Sequence, residues 1–288
     1  MKAIKVILGL SIILLHFSCN NSDDDANTLP AMSSGDAKMS ARIDIATDDV
    51  SKIVEDQLTT SDGISGRTTA VATPFLPECA TVTRVPEYGT TLTPGVLITK
   101  TIDFGTEGCA LPNGNVLKGI IEISFLYQPD ATSHTINYTF ENFYHNSIKF
   151  DGTKTFTRTM GTSAANAENH PIVTMNMDLT ATFPNNTVVT RVGTRVREIT
   201  QGYETPEWLD NVYQISGNWT STFPNNVTQI NTITTPLTIK LNCPNIVSGV
   251  ITFVRNSNTS YLNYGTGDCD NAAVFTIFGV TYPIVLGN

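Results

Sequence analysis

The chain has 288 residues, of which 40% are hydrophobic and only 15% are charged, and its formal net charge is −9 at pH 7. An acidic chain without a cluster of lysines lacks the positive surface that nucleic-acid phosphates require, so we expect no nucleic-acid partner. Thr, Asn, Val and Ile are frequent, which is typical of β-sheet proteins.

Residues 1–18 have the pattern of a secretory signal peptide. Lys2 and Lys5 precede an apolar run over residues 6–15, which is too short to form a stable membrane anchor. Cys19 follows at the position where bacterial lipoprotein signals place the acylated cysteine, although His16 and Phe17 depart from the usual residues before it. We therefore predict that a lipid on Cys19 attaches the mature protein to a membrane. The alternative is an ordinary signal peptide with a cysteine nearby.

The residues after Cys19 indicate where the protein resides. Residues 20–25 read N-N-S-D-D-D and resemble the acidic run that directs lipoproteins of the Bacteroidota to the outer leaflet of the outer membrane. This resemblance implies an outer-membrane protein that faces the cell exterior, whereas a bland solvated linker is the alternative. Residues 26–39 lack a periodic apolar pattern. We predict a flexible acidic tether over residues 19–39 and a single β-rich domain over residues 40–288.

One amphipathic helix is predicted at the start of this domain. Thr47 or Asp48 can cap its first turn, and Gly63 and Gly66 end it. Its apolar face comprises Val50, Ile53, Val54 and Leu58. Its charged face comprises Asp49, Lys52 and Asp56. A helix with one apolar stripe is expected to pack on a sheet.

The rest of the chain is predicted to form β-strands. We expect a mainly β fold, an antiparallel curved sheet, sandwich or open barrel with two similar halves, with the N-terminal helix covering one apolar face. The predicted strands are 80–85, 96–104, 116–127, 134–143, 148–158, 172–183, 188–199, 211–223, 227–235, 237–241, 246–255, 260–264, 273–278 and 280–286.

One hairpin can be predicted with its register. Asn185 and Asn186 favour a two-residue type I′ turn, which would place Phe183 opposite Val188. In this register one face of the hairpin is mainly apolar. The other face carries Asp178 together with Arg191, Arg195 and Arg197, and it is expected to meet water.

Internal repeats indicate a duplicated architecture. T-A-T-F-P-N-N at 180–186 recurs as T-S-T-F-P-N-N at 220–226, and D-F-G-T-E-G-C at 103–109 recurs as N-Y-G-T-G-D-C at 263–269. The first repeat predicts a second hairpin that turns at Asn225 and Asn226.

Four cysteines are left once Cys19 carries a lipid, and an oxidising compartment favours two disulfides. Three pairings are possible, and the repeat favours Cys79 with Cys109 and Cys243 with Cys269. A structural zinc site is the alternative, although these cysteines lack the close spacing that such sites use.

Several motifs of the chain resemble a family of uncharacterised surface lipoproteins from flavobacteria and other Bacteroidota. They include R-x-R-E-x-x-x-G-Y-x-T at 195–205, W-L-D-N-V-Y-Q-I-S-G at 208–217 and P-L-T-I-K-L-N-C at 236–243. The resemblance covers nearly all of the mature chain. It implies a location at the cell surface, and it implies no biochemical activity.

The sequence contains no G-x-S-x-G, H-E-x-x-H or phosphate-binding glycine motif. We therefore expect a protein that is not an enzyme. The alternative is a hydrolase in which two of the carboxylates meet in space.

Three features are candidate binding sites. The loop at 202–213 combines aromatic, carboxylate and amide side chains, which is typical of sugar sites, although Trp208 could instead plug one end of the sheet. The arginine stripe could bind a carboxylate or sulfate, with cross-strand pairing to Asp178 as the alternative. The acidic turn at 268–271 could hold Ca²⁺, or it could be a capped turn beside a disulfide. The candidate residues are Tyr203, Glu204, Trp208 and Asp210 in the loop, Arg191, Arg195 and Arg197 in the stripe, and Asp268, Asp270 and Asn271 in the turn.

These features together predict a lipid-anchored, non-enzymatic surface module that binds a glycan or a protein. Two other functions are compatible with the same sequence. One is a structural or assembly component of an outer-membrane complex. The other is a carrier of apolar molecules, which would need a large cavity between sheet and helix.

Overall fold

A computed structural model describes residues 31–59, 75–205 and 207–286, without the side chains of Thr59 and Trp208. The predicted signal peptide, Cys19 and most of the predicted tether lie outside these residues. The described part contains one 14-stranded antiparallel sheet and one long α-helix, α1. The sheet does not close, and β1 and β14 are its edges. This architecture confirms the predicted mainly β antiparallel fold with a helix near the N-terminus.

Helix α1 spans Ser34–Thr59. A reciprocal capping box starts it, because Ser33 Oγ accepts from Asp36 N at 3.1 Å and Asp36 Oδ2 accepts from Ser33 N at 3.0 Å. The predicted start at Thr47 or Asp48 was therefore wrong, and residues 34–39, assigned to the tether, are helical. The early turns were missed because they lack the one-sided apolar stripe on which helix prediction depends.

The helix is enclosed by the sheet rather than laid on it. Every position from Ser40 to Leu58 is buried or half-buried. The predicted charged face is included, since Asp49 and Asp56 are buried. Asp49 accepts hydrogen bonds from Asn113 at 2.9 Å and Asn115 at 2.8 Å, and it lies 2.9 Å from His145 Nε2. A loop of the sheet and one of its strands thus supply partners for a side chain that the sequence suggested would face water.

The sheet is a meander in which each strand pairs with its neighbours in sequence, except that the short β3 pairs only with β4. The boundaries agree closely with the predicted strands. Two differences are β3, which was not predicted, and β10, which joins two predicted strands. The strands are β1 Thr81–Val85, β2 Leu97–Asp103, β3 Cys109–Ala110, β4 Val116–Leu126, β5 Ser133–His145, β6 Ile148–Gly161, β7 His170–Thr182, β8 Val188–Gln201, β9 Val212–Phe223, β10 Val227–Lys240, β11 Ile246–Arg255, β12 Asn258–Thr266, β13 Ala272–Ile277 and β14 Val280–Val285.

Glycines inside strands bend the sheet around the helix. Gly119 has φ +80°, and the register of β4 against β5 shifts on either side of it. Gly249 has φ +111° at a matching shift between β11 and β12. A Cβ at these positions would lie 2.1 Å from Asn142 O and 2.5 Å from Pro236 O, respectively. Such bulges increase the local twist and allow a long sheet to curve.

The β7–β8 hairpin has a register that differs by one residue from the prediction. Its loop contains three residues, 184–186, because Phe183 N donates to Thr187 O at 2.9 Å and Thr182 pairs with Val188. Of the two predicted turn residues only Asn186 has a positive φ. A shift of one residue moves every side chain of β8 to the other face of the sheet. The arginine stripe therefore points inward.

The second hairpin turns at the predicted residues. Phe223 pairs with Val227, and Asn225 and Asn226 have φ values of 62° and 58°. The repeated motif at 103–109 and 263–269 also has the same local geometry in both copies. Asp103 Oδ1 accepts a hydrogen bond from Gly105 N at 2.8 Å, and Asn263 Oδ1 accepts one from Gly265 N at 2.9 Å.

The predicted disulfide pairing is confirmed. Cys79 bonds to Cys109 and Cys243 bonds to Cys269, with Cα–Cα distances of 5.8 and 5.6 Å. The alternative of a structural zinc site is thereby excluded for these four residues.

Two hydrophobic clusters divide the interior, and α1 contributes to both. The first cluster joins Ile43, Val50 and Val54 to side chains mainly from β2–β8. The second joins Ala37, Ala41 and Ile45 to side chains from β9–β14. The inward residues of β8 lie along the boundary between them.

Candidate binding site

Strand β8 directs three arginines at the helix. Arg191, Arg195 and Arg197 are each 1% exposed. The prediction that they share a water-facing surface with Asp178 was wrong, because it depended on the incorrect register. Asp178 remains exposed on the outer face, and the carboxylates that the arginines contact belong to α1.

Two arginines share one fully buried carboxylate. Asp44 Oδ1 accepts hydrogen bonds from Arg191 Nη1 at 2.5 Å and from Arg195 Nη2, while Asp44 Oδ2 accepts from the Tyr264 hydroxyl at 3.2 Å. Both guanidinium groups also lie over the Trp219 ring, at 5.2 and 4.1 Å. Burial alone would raise the pKa of Asp44, but the two arginines hold it below its ordinary value.

Lys154 of β6 lies beside these groups. It is 2% exposed, and burial lowers its pKa to about 7, a shift to which the charges of Arg195 and Arg191 add. We refer to Asp44, Lys154, Arg191 and Arg195 as the ionic seam. The seam is too deeply buried to act as a ligand site, and its role is to hold α1 against the sheet.

A cleft of about 390 Å³ lies where the C-terminal half of α1 meets β6, β8 and β9, and we refer to it as the tyrosine cleft. Its walls combine aromatic rings, charged groups and one amide. It is lined by Lys52, Glu55, Asp56, Phe75, Arg158, Pro171, Arg197, Ile199, Tyr203, Asn211 and Tyr213.

A second shared carboxylate lies in the tyrosine cleft. Arg197 Nη2 donates a hydrogen bond to Glu55 Oε2, and Arg158 Nε lies 4.0 Å from Glu55 Oε1. The Arg197 guanidinium stacks over Tyr213, 4.7 Å from the ring centroid. Burial raises the pKa of Tyr213 and lowers that of Arg158, and Tyr203 opposes the second shift. The Tyr213 phenol is therefore a neutral hydrogen-bonding group at physiological pH.

Several polar atoms in this cleft are buried without a hydrogen-bond partner among the described residues. They are Nε and Nη1 of Arg197, Nε of Arg158 and Oδ1 of Asn211. Leaving such a group unpaired costs about 1–3 kcal/mol. The walls of this cleft thus contain hydrogen-bonding capacity that the described side chains leave unused.

The predicted sugar-binding loop contributes to this cleft, but only in part. Tyr203 lines the cleft and is 38% exposed. Asp210 instead accepts from Thr205 Oγ1 at 2.8 Å, and Glu204 is exposed. The Trp208 side chain lies outside what the structure describes, so its predicted role stays a prediction.

A neighbouring cleft of about 400 Å³ shares Lys52 and Phe75 with the tyrosine cleft. Most of its lining residues are apolar, and we refer to it as the apolar cleft. Its further lining residues are Asp49, Ile53, Leu111, Pro112, Asn113, Leu209, Leu241, Asn242, Cys243 and Pro244. The two clefts together offer adjoining polar and apolar surfaces along one side of α1.

The acidic turn at Asp268, Asp270 and Asn271 has the geometry of a capped turn. Asp270 Oδ1 accepts from Ala272 N at 2.9 Å, and the Asp270 carbonyl accepts from Asn245 Nδ2 at 2.9 Å. Among the described residues, no group of three or more His, Cys, Asp or Glu side chains is placed to hold a metal ion. Ca²⁺ binding at the turn stays a prediction.

In comparisons with known proteins, no protein-family model, curated protein or solved structure matches this chain. Within the described ranges, no helix is long and apolar enough to cross a membrane. The chemistry of the clefts is therefore the basis for a functional proposal.

Sequence reasoning missed the acidic residues of α1 and the cations of β6 as site residues. Asp44 and Glu55 lie eleven positions apart, which places them on the same side of a helix. Lys154 and Arg158 occupy the inward positions that follow Phe150 along β6. The sequence did contain one indication of these roles, namely a cation at a position of β6 where the alternating pattern calls for an apolar residue. That indication can be interpreted only when the carboxylates of the partner helix are known.

Proposed function

We propose that this protein is a non-enzymatic binding module and that its tyrosine cleft receives a saccharide. The observation that carries the proposal is the composition of the cleft, which combines the rings of Tyr203 and Tyr213 with guanidinium and amide side chains. The volume of the cleft falls within the range of about 300–1,000 Å³ that is usual for ligand sites. Tyrosine rings can cover the C–H faces of a sugar while amide and guanidinium groups bind its hydroxyls.

Isothermal titration of the full-length protein in mild detergent, with a panel of neutral and acidic saccharides, tests the proposal. At least one saccharide class is expected to bind saturably. Tyr203→Ala should weaken that binding at least ten-fold. Tyr261→Ala is a matched control, because Tyr261 is 44% exposed on the outer face of β12. A loss that is equal in both variants, or a panel without binding, would contradict the proposal.

We also propose that the mature protein is anchored to the outer membrane through a lipid on Cys19 and faces the cell exterior. The basic and apolar signal pattern and the acidic run after Cys19 support this location. Metabolic labelling with a palmitate analogue should mark the parent protein and leave Cys19→Ala unlabelled. Protease treatment of intact cells should degrade the parent protein, and complete protection would contradict the outward orientation.

A protein ligand is the other partner compatible with a surface module, and the same titration separates the two. A protein that binds no saccharide but is cross-linked to one defined partner on intact cells would be a structural or assembly component. The apolar-carrier alternative has less support, because packed side chains of α1 and of the sheet fill the space between them that a carrier would need for its cargo.

A further inference from the structure

The turn between β13 and β14 presents an exposed aromatic side chain in an unfavourable backbone conformation. Ile277 pairs with Val280, so the turn has two residues, and Phe278 and Gly279 have φ values of 51° and 76°. A turn of this kind favours Asn or Gly at its first position. Every other described non-glycine residue with a positive φ is Asn or Ser, whereas Phe278 is 70% exposed. A strained residue whose side chain lies outside the core indicates a contact beyond the fold.

Phe278 begins an apolar strip along the edge of the sheet. Val280 and Tyr282 follow at alternate positions of β14 and are 51% and 40% exposed. Their partners on β13, Ile277 and Phe275, are buried, so the two side chains lie on the inner face of the sheet. Because β14 is an edge strand, this part of its inner face remains uncovered. We refer to Phe278, Val280 and Tyr282 as the edge patch.

The free edge of β14 is unsuited to the addition of another strand. Leu286 N donates a hydrogen bond to Asn271 O at 2.6 Å, which sets the alternation of hydrogen bonds between β13 and β14. Thr281, Pro283 and Val285 therefore direct their backbone groups away from β13. Pro283 has no N–H to donate there, so a further ladder would be interrupted. The edge patch thus favours apolar contact over strand pairing.

The edge patch lies beside the point where the chain enters the described domain. Ser260 lies opposite Ile277, the residue before Phe278, and its hydroxyl donates to Met32 Sδ at 3.4 Å. Cys19 precedes Met32 by 13 residues (32 − 19), a length that spans at most about 45 Å. A lipid on Cys19 would therefore hold this end of the domain near the bilayer.

The hairpin turns around the start of α1 contain no charged residue. Arg42 donates to Ser147 Oγ at 3.1 Å and lies 5.7 Å from the centroid of the Phe183 ring, beside the β5–β6 and β7–β8 turns. Arg255 precedes the β11–β12 turn and lies 4.3 Å from the centroid of the Phe223 ring, beside the β9–β10 turn. Together with the β13–β14 turn, these turns are 146–147, 184–186, 224–226, 256–257 and 278–279. A lipid surface can approach them without desolvating charge.

The charged side chains at the start of α1 are also compatible with a membrane. Asp36 is the only carboxylate among residues 31–43, and Arg255 Nη1 donates to it at 2.8 Å. Lys38 is exposed and Arg42 is half-buried. Anionic lipid head groups attract basic residues, so these side chains do not oppose contact with a bilayer.

We propose that this end of the protein docks on the lipid bilayer that holds its anchor, with Phe278 inserted between the lipids. The inference rests on the proposed lipid anchor at Cys19 and adds an orientation to it. Exposed apolar side chains bind at the membrane interface by burying their surface at the boundary of head groups and acyl chains. Glu55 of the tyrosine cleft lies 19 residues beyond Asp36 on α1 (55 − 36), about 28 Å along the helix, so the cleft remains clear of the docked end.

Fluorescence quenching in vesicles tests this orientation. The full-length protein is inserted from mild detergent into vesicles of phosphatidylethanolamine and phosphatidylglycerol, either plain or with bromine on the acyl chains, which quenches tryptophan on contact. The emission that Phe278→Trp adds to that of the parent protein should be about two-fold weaker in the brominated vesicles. Leu97→Trp is the matched control and should keep its emission. Leu97 is 57% exposed in β2, three residues from Lys100, whose Nζ donates to Gln57 O near the end of α1.

Flotation of the same vesicles separates this inference from the anchor on which it rests. Protein that floats, but in which Phe278→Trp is quenched no more than Leu97→Trp, would overturn the inference and leave the anchor intact. The edge patch would then be assigned to a protein partner. Protein that does not float would overturn both.

Phe278→Asn provides a second measurement, because Asn suits the turn. Tyr282→Trp should be quenched by the brominated lipids, and the addition of Phe278→Asn should weaken that quenching by about two-fold. Unchanged quenching would overturn the inference, and this pair decides alone if Phe278→Trp fails to fold. The urea midpoint of Phe278→Asn in detergent should equal or exceed that of the parent. A lower midpoint would show that the ring stabilises the fold, which would also overturn the inference.

Discussion

Asp44 is the residue on which the ionic seam depends, since it is fully buried and pairs with two guanidinium groups. Asp44→Asn would leave Arg191 and Arg195 charged without a counter-ion. Loss of one partner from a buried pair costs about 3–5 kcal/mol, so we expect the free energy of unfolding to fall by that amount. Urea denaturation measures it. Asp178→Asn on the exposed outer face is the control and should change stability by less than about 0.5 kcal/mol.

The same carboxylate gives stability a defined acid dependence. The pKa of Asp44 is lower in the folded protein than in the unfolded chain. The contribution of ionised Asp44 to the free energy of unfolding is therefore complete above the unfolded pKa of about 4, and it is lost as the pH falls further. Asp44→Asn should show a smaller loss of stability than the parent below this pH, and equal acid sensitivity of the two proteins would contradict the assignment.

Lys154 has the opposite effect on stability. Its pKa of about 7 in the folded protein lies below the value of about 10.4 in the unfolded chain. The unfolded chain thus binds more protons between these pH values, so the cost of burying the ammonium is full below pH 7 and disappears toward pH 10. Lys154→Met should be more stable than the parent by at least about 1 kcal/mol at pH 6.

Urea midpoints at pH 6, 8 and 10 measure this difference. The advantage of Lys154→Met should shrink as pH rises. Lys149→Met is the matched control, because Lys149 is half-exposed on the same strand, and it should show no such trend. A constant difference across the pH range would argue that Lys154 remains charged.

The inward arginines show why some residue roles could not be predicted. Loop length determined their face, and a loop of three residues instead of two reversed it. Asn185 and Asn186 are compatible with either loop, so local sequence did not decide between them. The Asp44 pairing also required knowledge that α1 begins at Ser34 and is enclosed by the sheet. Tyr203 was singled out from the sequence because aromatic and polar residues are concentrated in its loop, and the structure places it in the wall of the tyrosine cleft.

At the scale of elements, the beginning of α1 depends on Ser33. Its side chain accepts the Asp36 amide hydrogen bond in the first turn, and loss of an N-cap costs about 1 kcal/mol. Ser33→Ala should lower the free energy of unfolding by about that amount, as measured by urea denaturation. Ser163→Ala is the control for a serine that also bonds backbone amides, in a surface loop. If Ser33→Ala lowered the free energy of unfolding by no more than Ser163→Ala does, the assignment of Ser33 as the N-cap of α1 would be contradicted.

Strands were easier to predict than the helix for a physical reason. Each strand of this sheet has one face toward α1 and one toward water, so its apolar and polar residues alternate over the whole strand. In β7, Val173, Met175 and Met177 are buried, whereas Asn176 and Asp178 are exposed. Helix α1 has no such contrast because the sheet surrounds it. Its apolar residues meet two clusters and its polar residues meet the seam, so no single stripe marks the helix.

For the molecule as a whole, α1 connects the two hydrophobic clusters. Phe156 belongs to the first cluster and Trp219 to the second, and helix residues pack against both. The ionic seam crosses the boundary, because Asp44 contacts Arg191 of β8 and Tyr264 of β12. Unfolding one cluster would therefore expose the helix face that the other cluster needs, and the described domain should unfold cooperatively.

Phe156→Ala tests this cooperativity from a distance. Phe156 is fully buried, and truncation of a buried phenylalanine costs about 3–5 kcal/mol. In a single cooperative unit the urea transition detected by tryptophan fluorescence should shift together with the transition detected by far-UV circular dichroism. Phe275→Ala, in the second cluster, should shift both probes in the same way. If Phe156→Ala instead split the transition, with circular dichroism changing first and fluorescence retaining the parent midpoint, the two clusters would be independent and α1 would not couple them.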